Sequence, residues 1–192
     1  VCPVLDPRLL VICGSVNAIT VAQLDKAEQN GFARLRLTPE QKLTQDYWHS
    51  TAGRTALNHI EELLAANPRS IIETNDEGGN ERTAAYAEQL GLSLEQMRVR
   101  IASGVGQLVG LLFTSASLGT LLLTGGDTLL QCMNSVGVHE LEPVCELEQG
   151  VVLAKFSCSG CTRYIITKSG GFGQPDLLTE LAEHLGKQHG GK

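Results

Sequence analysis

The chain has 192 residues, a formal charge of -6 and an apolar fraction of 42%, which fits one domain, or one large domain with a small appendage, around a sizeable core. The negative charge argues against a general binder of nucleic-acid phosphates, and aromatics at 4% leave too few rings for a single-stranded nucleic-acid platform. The uncharged run from Gly104 to Gly126 could be taken for a membrane span, but the polar residues in and beside it, such as Gln107, Thr114 and Ser117, and the break at Gly119 read as a buried helix followed by a buried strand.

Leu9 to Cys13 is a continuous apolar run, the pattern of a strand buried on both faces, and Gly14-Ser15-Val16-Asn17 is its turn. Thr20 is expected to cap a helix through about Asn30, with Gly31 as its stop. A short strand spans Phe32 to Leu37, and a partly helical polar stretch opens at Thr38-Pro39-Glu40. Apolar residues at helical spacing predict a helix over Arg54 to Ala66, ended by Asn67-Pro68. Ser70 to Thr74 is a third strand, and Glu81 to Leu90 a helix stopped by Gly91.

Ser93 and Gln96 form a capping box for a long helix to about Ser117. Thr120 to Leu123 is the fourth strand, and a helix to about Val136 follows Gly125-Gly126-Asp127-Thr128. His139 to Cys145 and Val151 to Phe156 are strands joined at Glu148-Gln149-Gly150. A strand from Arg163 to Thr167 enters Lys168-Ser169-Gly170-Gly171-Phe172-Gly173, and the last helix spans about Pro175 to Leu185. The tail, 186–192, is polar and reads as frayed. This alternation predicts an α/β fold: a mostly parallel sheet with helices on both faces and a small antiparallel hairpin appended near 139–156.

The chain begins Val1-Cys2-Pro3 with neither methionine nor signal peptide, and it reads as a piece of a longer protein. Its six scattered cysteines read as reduced thiols of a cytoplasmic protein rather than a disulfide framework. Cys158-Ser159-Gly160-Cys161 has CxxC spacing, but Cys145 is the only third ligand nearby and a strand follows, so it reads as a turn with two incidental thiols. Asp76 and Glu77 are candidate metal or ribose ligands, with a solvated loop the preferred reading.

Three strand-to-turn junctions carry the functional reading. In each, a buried strand runs into glycines and a helix, which puts free amides and a helix N-terminus at one place and suits an anion. They are Gly14-Ser15, Gly125-Gly126-Asp127-Thr128 and Lys168 with Gly170, Gly171 and Gly173. Asp127 and Thr128 also fit simple N-capping, and Lys168 could reach a phosphate as a point charge. Gly104-Val105-Gly106-Gln107-Leu108-Val109-Gly110 approximates a dinucleotide fingerprint, but its third glycine is one residue late, and small residues packing a buried helix explain it better. No histidine falls in a catalytic pattern.

Taken in order, Cys13-Gly14-Ser15-Val16-Asn17-Ala18-Ile19-Thr20, Thr124-Gly125-Gly126-Asp127-Thr128 and Thr167-Lys168-Ser169-Gly170-Gly171-Phe172-Gly173 resemble the C-terminal nucleotide-binding domain of the four-carbon acid sugar kinases, 3-oxo-tetronate and threonate kinases among them. The resemblance covers roughly residues 8 to 185. It implies that residues 1–192 form the ATP-binding half of a two-domain cytoplasmic kinase, with magnesium at the phosphates. It places nucleotide contacts at Ser15, Gly125, Gly126, Gly170, Gly171 and Gly173, while Asn17 departs from the serine common at that position. The sugar acid and the residue that deprotonates it would belong to an absent N-terminal domain, so this chain alone would be inactive. Homodimer formation is left open, and neither a nucleic-acid nor a membrane partner is implied. The rival readings are a non-enzymatic nucleotide-binding or regulatory module and an oxidoreductase domain using the Gly104–Gly110 stretch.

Overall fold

The computed structural model describes residues 2–158 and 160–190. Seven strands form one sheet in the order β2-β3-β1-β4-β7-β6-β5. They are β1 (Leu9–Cys13), β2 (Ala33–Arg36), β3 (Arg69–Glu73), β4 (Thr120–Thr124), β5 (Glu142–Glu148), β6 (Val151–Cys158) and β7 (Cys161–Lys168). The five strands from β2 to β7 are mutually parallel, and β6 runs antiparallel to both β7 and β5. The helices are α1 (Ala18–Gln29), α2 (Pro39–Leu43), α3 (Thr51–Ala66), α4 (Glu81–Gln89), α5 (Leu94–Leu112), α6 (Gly126–Ser135) and α7 (Leu177–Gly190).

The apolar strands explain the three layers. Alternate side chains of a strand point to opposite faces, so a wholly apolar strand needs cover on both. Leu10, Ile12, Ile72, Leu121 and Leu123 pack with Ile60 and Leu64 of α3, Val105, Leu108 and Leu112 of α5, and Cys132 and Met133 of α6. Leu9, Val11, Ile71, Leu122 and Ile166 pack on the other face with Leu24 and Ala27 of α1 and Leu178, Leu181 and Leu185 of α7. The expected mostly parallel α/β sheet is therefore present.

Several local expectations change. The hairpin is part of the main sheet, because β6 pairs with β7 along its whole length and buries Leu153 on one face and Phe156 on the other. Helix α1 begins at Ala18, where Asn17 accepts a bond from the Ile19 amide at 2.9 Å, so Thr20 lies inside the first turn and does not cap it. The capping box of Ser93 and Gln96 is made, but α5 ends at Leu112, five residues early. Helix α7 continues past Leu185 to Gly190, into the expected tail, whose last two residues lie outside the described ones.

The reduced reading of the cysteines is overturned at one pair: Cys2 and Cys145 form a disulfide that ties the N-terminal segment to β5. Their separation of 143 residues hides such a pairing from any reading of spacing. Cys158 and Cys161 face each other across the end of the β6–β7 hairpin and are not disulfide-bonded; Ser159, within that CxxC turn, lies outside the described residues. No helix among the described residues is long and apolar enough to cross a membrane.

Candidate functional site

Glu73, Cys13, Thr124 and Lys168 form one row across the sheet, each register partner of the next, at the C-terminal ends of β3, β1, β4 and β7. At about 4.8 Å per strand the row is roughly 14 Å long. Chain order reverses on either side of β1, and open α/β sheets hold ligands in the crevice at such a point. All three glycine junctions leave from this row.

At the first junction the Gly14 amide donates to Thr124 O at 3.0 Å. A Cβ on Gly14 would lie 1.8 Å from Thr128 Oγ1, so only glycine lets this turn abut α6. The Ser15 hydroxyl accepts from the Asn17 amide at 3.2 Å, and Asn75 Nδ2 donates to Ser15 O at 3.0 Å. Asn75, which the sequence reading did not single out as a site residue, thus ties the loop after β3 to this turn.

At the second junction Gly125 has φ 109°, a conformation that side chains disfavour. Helix α6 then starts at Gly126 with no side-chain cap. Asp127 is exposed in the first turn and Thr128 is buried against Gly14, so neither makes the expected cap. The first amides of α6 therefore keep their donors and the positive end of the dipole. Among the described residues Thr124 Oγ1, in the row itself, is buried with no hydrogen-bond partner.

The third junction is carried by α1. Thr20 Oγ1 donates to Gly170 O at 2.8 Å, and Gln23 Nε2 donates to Phe172 O and Gln174 O, each at 3.0 Å. Gly170 lies against Ser15, with a Cβ there 3.1 Å from Ser15 Oγ, whereas a Cβ on Gly171 would meet open space. A Cβ on Gly173 would strike Leu177 at 2.5 Å. Lys168 is buried, and its ammonium donates to Ser169 O at 3.0 Å and Thr20 Oγ1 at 3.4 Å. Among the described residues no carboxylate pairs with it, and burial holds it below the ordinary lysine range despite an opposing pull from Cys13.

Other sequence candidates are engaged elsewhere. Asp76 accepts from Lys42 at 2.6 Å and from the Thr83 amide at 2.8 Å, while Lys42 also donates to Thr74 O and the Thr83 hydroxyl. This buried pair joins α2, the loop after β3 and α4, so Asp76 is neither solvated nor open to a ribose. Glu77 stays exposed. No group of three His, Cys, Asp or Glu among the described residues could hold a metal. The Gly104–Gly110 stretch lies within α5, where a Cβ on Gly106 would fall 2.6 Å from Gln131 O of α6. Its glycines pack two helices, which removes the basis of the oxidoreductase reading.

The fold and crevice define an open α/β domain of the doubly wound kind. The chain belongs to the family described as the nucleotide-binding C-terminal domain, whose model matches residues 10–178, the C-terminal nucleotide-binding domain of the four-carbon acid sugar kinases. D-threonate kinase of Salmonella typhimurium is 23% identical over 188 residues, covering 95% of this chain and 44% of that relative. A domain of unknown function from Bordetella bronchiseptica, solved with bound citrate as a domain-swapped dimer, matches with a TM-score of 0.68 at 22% identity, covering 92% of this chain and 40% of that one. A Haemophilus influenzae protein of the same family matches at 0.65 and 18% identity, with the same coverage of each chain. The chain thus spans less than half the length of these relatives.

Proposed function

We propose that this chain is the ATP-binding domain of a kinase that phosphorylates a four-carbon sugar acid of the 3-oxo-tetronate, threonate or erythronate type. Lys168 carries the reading. A buried ammonium without a countercharge is costly, and this one lies where three glycine turns and an uncapped helix N-terminus meet. An anion there would supply the missing charge. The likeness to D-threonate kinase supports the choice of substrate class.

In this reading the amides of Gly125, Gly126, Gly170, Gly171 and Gly173 and the Ser15 hydroxyl hold the phosphates, with Lys168 as a point charge. Thr128 shapes the cradle by filling the space beside Gly14. Magnesium commonly takes one or two carboxylates plus phosphate oxygens; the exposed Asp127 at the head of α6 fits that donor set. Bound there, ATP would supply the phosphoryl group and magnesium would neutralise charge on it. These residues bind and orient the nucleotide.

The base acting on the sugar acid would belong to a domain outside this chain, whose closure would exclude water. This chain by itself is then expected to bind nucleotide and turn over little. A homodimer is proposed on the likeness to the Bordetella dimer alone. The cytoplasm is the proposed compartment. The Cys2–Cys145 bond counts against it, because disulfides are rare there, and thiol trapping in intact cells decides the matter.

Calorimetric titration with Mg-ATP and Mg-ADP tests the reading. Gly171→Asp meets open space, so it adds a negative charge without a clash and should abolish saturable binding while leaving the thermal midpoint nearly unchanged. Full-length protein that binds no nucleotide would sink the kinase reading; full-length protein that binds without turnover on any four-carbon acid would favour the non-enzymatic module.

A further inference from the structure

We propose that Phe172 is the platform on which the base of the nucleotide stacks, at the β5–β6 side of the phosphate cradle; this rests on the nucleotide reading above. Of the four phenylalanines, Phe32, Phe113 and Phe156 are 3%, 8% and 4% exposed, and Phe172 is 43% exposed. An apolar ring in water beside a polar crevice contributes nothing to the core. Phe172 is nevertheless fixed from below. Its ring packs on Gly150 of the β5–β6 turn, where a Cβ would lie 2.7 Å from Phe172 Cγ, and Gly150 itself has φ 74°. Its carbonyl is held by Gln23 at 3.0 Å, its amide reaches Ser169 O at 3.4 Å, and the Ser169 amide donates to Gly150 O at 3.0 Å. The sheet edge therefore supports one side of the ring and leaves the rest open.

Distance fits the role. Phe172 is two residues beyond Gly170, which touches Ser15, so its Cα stands within about 7 Å of the Gly170 Cα. A ribose spans that kind of gap between phosphates and base. Stacking on a ring tolerates any base, because each has a π-face. The platform should thus strengthen nucleotide binding without choosing adenine over guanine.

The test compares Mg-ATP, Mg-GTP and inorganic tripolyphosphate by calorimetry on the wild-type chain, Phe172→Ala and Phe172→Trp. Phe172→Ala should weaken both nucleotides by about tenfold or more and leave tripolyphosphate unchanged, while Phe172→Trp should retain nucleotide binding. Equal loss on all three ligands would mean that the ring only props up the glycine stretch and would overturn the proposal, as would no loss on any. Silence towards every ligand in this chain and in the full-length protein would remove the nucleotide reading and this inference with it; wild-type binding with an indifferent Phe172→Ala would remove the inference alone.

Discussion

Lys168 has a buried ammonium whose partners are a carbonyl and a hydroxyl. Because burial lowers its folded-state pKa, the unfolded chain binds this proton more tightly. Stability contributed by this group therefore rises with pH between the lowered value and the ordinary 10.5. Anion binding runs the other way, since it needs the charged form. Nucleotide affinity should fall with rising pH earlier than an exposed lysine would allow, which titration over pH 7 to about 10 would reveal. Lys168→Met keeps the stem and removes the charge. It should lose tenfold or more of affinity, abolish that pH dependence and leave the denaturant midpoint equal or higher, because an isolated buried charge is unfavourable. Cys13, beyond Thr124 in the same row, is pushed by burial up to about 11 and should stay inert to thiol reagents at neutral pH.

Helix α5 shows how similar glycine patterns serve different ends. Gly106 lies against the α6 backbone, so Gly106→Ala should cost about 1–3 kcal/mol by overpacking, read from chemical denaturation, with ATP affinity of the folded fraction unchanged. Lost binding without lost stability would restore the dinucleotide reading. The elements best read from sequence were those with strong local signals: the apolar runs of β1, β3 and β4, the Ser93–Gln96 box, and the glycines that end β4 and β7. What was missed depends on distant partners. Thr20 resembles a cap in sequence, yet its hydroxyl bonds a carbonyl 150 positions on, and Gln23 bonds carbonyls 149 and 151 positions on. Lys42 had no local reason to be buried, because Thr74, Asp76 and Thr83 lie 32 to 41 residues away.

At the scale of the molecule, sequence alternation predicted three layers but not sheet membership. The period-two pattern of β6 is the same whether it pairs as a free hairpin or along β7. The Cys2–Cys145 bond closes a loop of most of the chain; chain entropy for so long a loop sets a ceiling of about 5 kcal/mol, and disulfides typically deliver about 2–4 kcal/mol. Paired Cys2→Ser and Cys145→Ser substitutions should lower stability by that amount in urea, with the circular dichroism spectrum retained. Reducing agent should do the same to the wild type and nothing further to the double variant.

The row from Glu73 to Lys168 acts as a common baseline. Every loop of the crevice starts at the same height on the sheet, so each can be lengthened or rewritten without moving its neighbours. The strands beneath have no such freedom. Loss of a single codon within β7 would lower its glycine stretch by about 3.3 Å and turn the Lys168 side chain from the α1 layer into the α5 layer. The crevice can drift in sequence while its register is held, and insertions and deletions fall on the loops or not at all.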